Sequence, residues 1–308
     1  MVVRSSPPDA WVATDDGARL AVLVDEPEPA AGSASATVVL VHGWTLAARV
    51  WDRAGEQLRA ARPDVRVVRY DQRGHGASRA PATAGAEATI GRLGLDLAAV
   101  LDAVAPCGPL VLAGHSMGGM AVMALAGRAP ALLAERVAGV LLCSTSAGGL
   151  AATGRALAPL MAALAALPEG VRVPRVPAVL NRRANYGPGT ALRLVARTSR
   201  ALGPVSGRTT GTWFAALMAH DESRALPVLA ASGVPVRIVV GQADRLTPLP
   251  HARALADALP RARFDVVPGA GHMLLVERPD VVAGALAQLL PGRRDGAGAR
   301  GSGGQGSG

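Results

Sequence analysis

The chain of 308 residues carries a formal charge of +9, and half of its residues are apolar. That length suits one large α/β domain with an insertion, and the scarcity of aromatic residues predicts a core of Ala, Val and Leu. All of the basic residues are arginines, which are scattered among Ala, Gly and Pro without stacking aromatic residues between them. This pattern argues against nucleic acid as a partner.

The sequence has no run of about 18 apolar residues free of charge and proline, and its first residues lack the apolar region of a signal peptide. Cys107 and Cys143 lie beside or within apolar strand-like runs, where we expect small buried side chains rather than a disulfide. These features predict a cytoplasmic protein without a membrane span.

Apolar runs bounded by turn signals predict strands, in chain order, at residues 10–14, 18–24, 37–41, 65–70, 110–113, 137–144, 234–240 and 263–267. Helical spacing follows most of these strands, at 48–62, 90–104 and 120–128 and then in stretches that end near 259 and 290. Strands that alternate with helices in this way predict an α/β fold, in which helices cover both faces of a mostly parallel sheet.

The alternation stops between residues 146 and 223. This stretch is rich in Ala, Leu, Arg, Gly and Pro, contains helical pieces and has no convincing strand. We therefore expect an α/β core of residues 1–145 and 224–291, a helical cap over 146–223, and a disordered tail over 292–308.

The sequence Gly114-His-Ser116-Met-Gly118 stands where the strand at 110–113 passes into a helix. A serine on so sharp a turn takes a strained backbone conformation that exposes its hydroxyl. Side chains at Gly114 and Gly118 would collide with the neighbouring strand and helix. This context predicts Ser116 as a nucleophile, and the alternative is a tight glycine turn with an incidental serine.

A serine nucleophile needs a base, and the base needs a third group that fixes its orientation. In an open parallel sheet, active groups lie beyond the carboxyl ends of the strands. Asp244 and His272 each lie in a loop directly after a predicted strand, so we expect His272 as the base and Asp244 as its partner. For Asp244 the alternative is a cap of the helix that follows.

The remaining five histidines have other interpretations. We expect His220 and His251 to be solvated. His42 and His75 lie in glycine loops, where they can bond to the local backbone. His115 directly precedes the serine, so its side chain should point away from the nucleophile.

Acyl transfer also requires hydrogen-bond donors aimed at the oxyanion. The backbone N–H of Met117 is well placed, because it lies at the helix start just after Ser116. The second donor is expected to be the N–H of Trp44, since Gly43 lets that loop approach the serine closely. The alternative for Gly43 is only a tight exit from a strand.

Four motifs stand in an order that resembles the α/β-hydrolase superfamily: His-Gly-Trp at 42–44, Asp-Gln-Arg-Gly-His-Gly-Ala-Ser at 71–78, Gly-His-Ser-Met-Gly-Gly at 114–119, and Gly-Gln-Ala-Asp at 241–244 with Gly-Ala-Gly-His at 269–272. The resemblance covers most of the chain outside the insertion and the tail. It implies the α/β-hydrolase fold, a triad of Ser116, Asp244 and His272, and no metal or organic cofactor. It also implies a cap after the strand that ends at Ser144.

The motif forms are similar to the branch that holds carboxylesterases, lactonases, haloperoxidase-like perhydrolases and carbon–carbon bond hydrolases. Epoxide hydrolases and haloalkane dehalogenases place an aspartate where this chain has Ser116, and epoxide hydrolases also use cap tyrosines where only Tyr186 is available. The resemblance thus implies a serine hydrolase that cleaves an ester or related acyl bond of a small apolar substrate. The alternatives are carbon–carbon cleavage, lactone opening or perhydrolysis with the same triad, or a non-catalytic ligand-binding protein of this fold.

The predicted cap supplies candidate substrate-binding residues. We expect Trp44 to line the pocket together with bulky residues clustered on one stretch of helix, namely Trp213, Phe214, Leu217 and Met218. Between residues 146 and 220 the cap has one carboxylate, Glu169, and many arginines, among them Arg172, Arg175, Arg182, Arg183, Arg193, Arg197, Arg200 and Arg208. We interpret them as a solvated face, with a surface that steers an anionic substrate as the alternative. The sequence leaves the oligomeric state open.

Overall fold

The computed structural model describes residues 7–29, 33–80, 88–174, 176–203 and 205–292. Its strands are β1 (Ala10–Ala13), β2 (Arg19–Asp25), β3 (Ala36–Val41), β4 (Val65–Tyr70), β5 (Leu110–His115), β6 (Val137–Cys143), β7 (Val236–Gly241) and β8 (Arg263–Val267). They form one sheet in the order β1-β2-β4-β3-β5-β6-β7-β8. β2 is antiparallel to both β1 and β4, and all other neighbours are parallel. The predicted α/β fold with a mostly parallel sheet is confirmed.

The helices, in chain order, are α1 (Asp52–Ala61), α2 (Ile90–Val104), α3 (Met117–Arg128), α4 (Pro130–Arg136), α5 (Ala151–Gly154), α6 (Ala158–Ala165), α7 (Ala178–Asn185), α8 (Leu192–Leu202), α9 (Gly207–Ala219), α10 (Ala225–Ala231), α11 (Leu249–Ala258), α12 (Leu274–Glu277) and α13 (Pro279–Ala287). Two short 3₁₀ turns, Ala48–Trp51 and Arg155–Leu157, precede α1 and α6. The predicted helix at 48–62 is therefore a 3₁₀ turn that continues into α1.

The side chains of each strand alternate between two apolar layers. In β3, Val39 and Val41 belong to one layer, and Val38 and Leu40 belong to the other. Every residue of β3 is buried, as expected for a parallel strand with helices on both faces. Because helices cover both faces of the strands, a functional site is expected in the loops beyond the carboxyl ends of the strands.

The helix α2 illustrates how local sequence fixes an element. The Thr89 hydroxyl accepts a hydrogen bond from the Arg92 amide at 3.1 Å and so caps the first turn. Leu93, Leu97 and Leu101 are buried at helical spacing and pack in the layer that also holds α3. The helices α1 and α13 pack together in the opposite layer.

Residues 146–223 leave the sheet after β6 and return before α10. The described part of this stretch contains the helices α5 to α9 and no strand. Its two ends meet, because the amide of Glu222 donates to the carbonyl of Ala147 at 2.7 Å and Gly148 pairs with Asp221. The stretch is therefore a helical excursion that begins and ends at one point of the fold.

The structure departs from the sequence-based prediction in some places. It forms α4, which was not predicted, and it exposes Cys107, which lies in a turn before β5 rather than in the strand. Cys143 is buried and, like Cys107, is unpaired. The predicted disorder of the tail concerns residues that, apart from 292, lie outside the described ranges.

No single helix within the described ranges has the length and apolar composition needed to cross a membrane. The helices α3 and α4 reach that length only as a pair, and they are bent by 100° at their junction.

Candidate active site

Ser116 lies between β5 and α3 in a strained conformation, with φ 54° and ψ −121°. The two glycines around it have no room for a side chain. A Cβ at Gly114 would lie 2.3 Å from the carbonyl oxygen of Gly118, and a Cβ at Gly118 would lie 2.1 Å from the carbonyl oxygen of Val41. Both clashes involve backbone atoms, as the sequence predicted. Thr145 secures the turn, because its hydroxyl donates to the carbonyl of Ser116 at 2.7 Å.

Asp244 and His272 come together from the loops after β7 and β8. Nδ1 of His272 lies 2.9 Å from Oδ2 and 3.1 Å from Oδ1 of Asp244. The carboxylate also accepts the amide of Leu246 at 2.9 Å, and the amide and hydroxyl of Thr247 at 2.9 and 3.0 Å. Asp244 is not the cap of the next helix, since α11 begins only at Leu249.

Burial acts to raise the pKa of Asp244, but His272 and the hydrogen bonds from Thr247 outweigh it and hold that pKa below its usual value. The carboxylate is therefore ionised at neutral pH and accepts the Nδ1 proton of His272. That tautomer leaves Nε2 as the nitrogen that can take a proton.

Ser116 and His272 both line one cavity. Within the described residues, no hydrogen bond joins the Ser116 hydroxyl to His272. Such contacts are often long without substrate and shorten when the substrate binds.

The loop after β3 lies against the serine. A Cβ at Gly43 would lie 3.1 Å from Cβ of Ser116, so glycine permits the close approach that the sequence predicted. The amide N–H groups of Trp44 and Met117, in the part of the chain that the structure describes, have no hydrogen-bond partner. They are thus free to donate to a ligand atom.

Two buried histidines hold this loop. His42 donates from Nδ1 to the carbonyl of Gly43 at 2.7 Å and accepts the amide of Gln72 at Nε2, 2.9 Å away. His75 bonds through Nδ1 to the carbonyl of Arg73 at 3.0 Å and accepts the amide of Thr45 at Nε2, 3.1 Å away. Both make the local backbone bonds that were predicted.

His75 accepts the Thr45 amide, so that amide cannot donate to a ligand. The preceding amide, that of Trp44, can do so. Thr45 has φ 56°, an uncommon value for a β-branched residue. Burial lowers the pKa of His42 to about 4 and that of His75 to about 3, so both rings are neutral acceptors at neutral pH. Both histidines follow neighbouring strands, which is a signal for this support, but sequence reasoning missed that His75 binds the Trp44 loop.

The side chain of Trp44 connects the loop to α9. Its indole Nε1 donates to the carbonyl of Thr210 at 3.1 Å, and its ring lies 5.8 Å from that of Phe214. Trp213, on the same helix, packs 6.3 Å from the ring of His75. The loop is therefore held from the sheet side by His75 and from the helical excursion by α9.

A cavity of about 550 Å³ opens above Ser116. Trp44 and three of the predicted wall residues, Phe214, Leu217 and Met218, line it. Trp213, the fourth predicted wall residue, is not among the lining residues, and its ring packs beside that of His75 instead. Further apolar lining comes from the same excursion: Leu150, Leu157, Leu160, Met161, Leu164, Val173 and Val176.

One wall of the cavity is polar. Asn185 donates to Oδ1 of Asn181 at 2.7 Å, and Asn181 donates to the hydroxyl of Ser199 at 3.0 Å. All three line the cavity. Sequence reasoning missed them, since isolated Asn and Ser residues carry no motif.

The expectation of solvated side chains at His220 and His251 is wrong. His220 is buried, with Nδ1 2.6 Å from the carbonyl of Leu217 and Nε2 3.3 Å from that of Ser146. His251 is half-buried, with Nδ1 2.9 Å from the Ser146 hydroxyl. Both histidines contact Ser146, where the excursion leaves the sheet. These contacts join residues that are far apart in the sequence, so they form only when the chain folds.

His115 is buried beneath the site. Its Nε2 lies 2.9 Å from the carbonyl of His272, to which it donates, and the two rings are 4.9 Å apart. Burial lowers the pKa of His115 to about 3, so it is neutral. Within the described ranges no three His, Cys, Asp or Glu side chains are grouped so as to hold a metal ion.

Comparison with known proteins places this site in a family. The sequence pattern of the Alpha/beta hydrolase family matches residues 38–285. The chain belongs to this family. This α/β hydrolase is 29% identical over 274 residues to the pimeloyl-[acyl-carrier protein] methyl ester esterase of Aromatoleum aromaticum, across 83% of this chain and 98% of that protein.

Two solved structures are similar to this α/β hydrolase over nearly its whole length. A hydrolase from Pseudomonas aeruginosa PA01 has a TM-score of 0.73 and 28% identity, over 92% of this chain and 98% of its own. The enol-lactonase from Burkholderia xenovorans LB400 has a TM-score of 0.70 and 25% identity, over 91% of this chain and 99% of its own. The chain therefore belongs to a family of hydrolases and has esterase-like relatives, which supports hydrolase activity.

Proposed function

We propose that the protein is a serine hydrolase that cleaves an ester bond of a small apolar acyl substrate through a covalent acyl-enzyme. One observation carries the proposal: Ser116 in its strained turn, His272 bound to Asp244, and Trp44 with its unengaged amide line one cavity with mostly apolar walls. Each of these groups meets a separate requirement of acyl transfer.

In the proposed mechanism, Ser116 attacks the acyl carbon while Nε2 of His272 takes the hydroxyl proton. Asp244 holds the imidazole in the productive tautomer and stabilises the imidazolium. The amides of Trp44 and Met117 donate to the oxyanion of the tetrahedral intermediate. His272 then protonates the leaving alcohol, and a water molecule, deprotonated by the same histidine, releases the acid.

We propose further that residues 146–223 act as a cap that shapes the acyl pocket. Phe214, Leu217 and Met218 offer an apolar wall, which suits the hydrocarbon part of an acyl group. The relatives support an acyl C–O bond as the target, because one is named for a methyl ester and another for an enol-lactone.

Lactone opening is a second candidate, favoured by the similarity to the enol-lactonase. The chemistry of the first step would be the same, but the leaving alcohol would stay attached to the acyl group. Open-chain esters and lactones in one screen therefore separate the two functions.

The test is a hydrolysis screen of p-nitrophenyl esters of graded chain length, simple lactones and vinylogous diketones. We expect ester turnover, and we expect Ser116→Ala to lower kcat by roughly 10⁶-fold with its fold retained. Ser199→Ala is the matched control, since this serine lines the same cavity but lies on α8. Diketone cleavage in the absence of any ester or lactone turnover would contradict the proposal.

A further inference from the structure

The stretch from α5 to α6 exposes an apolar surface to solvent. Over residues 151–166 the only charged side chain is Arg155. Leu157 is 48% exposed and Leu160 is 56% exposed. A surface helix of a globular protein ordinarily turns polar residues outward. An exposed apolar face of this kind indicates a surface that binds something other than water.

The helix α7 turns polar side chains toward the cavity and apolar side chains toward solvent. Asn181 and Asn185 line the cavity, whereas Val179 and Leu180 are 56% and 58% exposed. Val176, just before the helix, is exposed as well. We call the exposed residues Leu157, Leu160, Val176, Val179 and Leu180 the apolar rim.

Three of the five rim residues border the entrance of the cavity. Leu157, Leu160 and Val176 are exposed to solvent and also line the cavity. A side chain can do both only where the cavity meets the outside. The surface is therefore next to the route by which a substrate reaches Ser116.

The charged side chains between residues 146 and 220 are almost all positive. Glu169 is the only carboxylate between residues 146 and 220. The exposed arginines of this stretch form no salt bridge within the described ranges: Arg155, Arg172, Arg183, Arg193, Arg197, Arg200 and Arg208. Arginines elsewhere in the protein are commonly paired, as Arg73 is with Asp96.

We infer that the apolar rim and its arginines dock on an anionic lipid surface, with the cavity entrance facing the lipid. A lipid surface can bind both kinds of side chain on this face. Its apolar interior takes up the leucines and valines, and its anionic headgroups pair with the arginines. Docking needs no membrane-spanning helix, because amphipathic segments lie in the interface. An apolar substrate could then pass from the lipid into the cavity without crossing water.

A protein partner fits the face less well. Protein interfaces are enriched in exposed Tyr, Trp and Phe. The aromatic residues of this stretch, Tyr186, Trp213 and Phe214, are all buried, and the rim is purely aliphatic.

The test is co-sedimentation of the full chain with vesicles. We expect binding to vesicles of equal parts phosphatidylcholine and phosphatidylglycerol, weaker binding to phosphatidylcholine alone, and release by high salt. Leu160→Ser with Leu180→Ser should weaken binding by about tenfold, because less apolar surface enters the lipid. Leu95→Ser, an exposed leucine on α2, is the matched control.

A second pair tests the charges. Arg155→Gln with Arg183→Gln should reduce the preference for anionic vesicles, whereas Arg53→Gln, a change at an exposed arginine on α1, should leave it unchanged. All of these side chains are at the surface, so the variants are expected to fold, and thermal melting checks this. Ser116→Ala should bind as the parent does, which separates docking from the proposed hydrolase function.

Absence of vesicle binding by the parent would overturn the inference. Binding that survives in both double variants would also overturn it, since other surfaces would then be responsible. If light scattering shows an oligomer that the Leu160→Ser/Leu180→Ser variant loses, and no vesicle binding is seen, the rim is a contact between copies of the chain instead.

Discussion

In the proposed mechanism one side chain, Asp244, sets the tautomer of His272. Its carboxylate accepts bonds from His272 and from Thr247 and is ionised within a nearly closed pocket. An amide at this position would keep the size of the side chain but could donate to Nδ1. It would then favour the imidazole tautomer that cannot accept the Ser116 proton.

We therefore predict that Asp244→Asn lowers kcat by roughly four orders of magnitude and leaves the fold intact. Asp257→Asn is the matched control, because Asp257 is exposed on α11. Steady-state kinetics on one p-nitrophenyl ester measures both variants. If Asp244→Asn stays within about tenfold of the parent, a different carboxylate orients the base.

At the scale of elements, α9 carries two kinds of side chain on neighbouring positions. Phe214, Leu217 and Met218 line the cavity, whereas Trp213 packs toward His75. The sequence placed all four on one stretch but did not separate them, since helical spacing alone does not say which direction faces the cavity. The direction is set by the contact of α9 with the Trp44 loop, which is remote in sequence.

This difference gives a paired prediction. Met218→Ala should enlarge the pocket and shift the preference toward longer acyl chains, with a small loss of stability. Trp213→Ala should lower the free energy of unfolding by about 3–5 kcal/mol, as loss of a buried aromatic side chain does, without changing the preferred length. The ratio of kcat/KM values across an ester series, with chemical denaturation beside it, measures both effects.

An unchanged length preference in Met218→Ala would remove Met218 from the proposed pocket. A changed preference in Trp213→Ala would indicate that this ring reaches the substrate after all.

For the whole molecule, the parts that could be predicted from sequence are those with short-range causes. The strands follow from apolar runs, and the turn at Ser116 follows from the steric needs of Gly114 and Gly118. The positions of Asp244 and His272 at one edge of the sheet could be predicted because each residue follows a parallel strand. The burial of His220, by contrast, depends on how residues 146–223 fold back on the sheet, and no local pattern encodes that contact.

Buried neutral histidines should make the whole protein less stable at acidic pH. Burial lowers the pKa of His42 to about 4 and the pKa values of His75 and His115 to about 3. The same side chains in the unfolded chain take up protons near pH 6.5. Below that pH the unfolded state binds more protons than the folded state, so acid favours unfolding.

The free energy of unfolding should thus fall from about pH 6.5 downward, by roughly 1.4 kcal/mol per pH unit for each histidine, until the folded-state pKa values are reached. Urea denaturation at several pH values measures this slope. His75→Asn should reduce the slope, because one of the three groups is removed. A stability that does not change between about pH 7 and pH 5 would contradict the prediction.

The most direct measurement of the proposed nucleophile is covalent labelling with a fluorophosphonate probe, followed by mass spectrometry of the labelled peptide. We predict one adduct per chain, located on Ser116, which Ser116→Ala abolishes and Ser199→Ala retains. Stoichiometric labelling that persists in Ser116→Ala, or an adduct located on another serine, would contradict the assignment of Ser116 as the nucleophile.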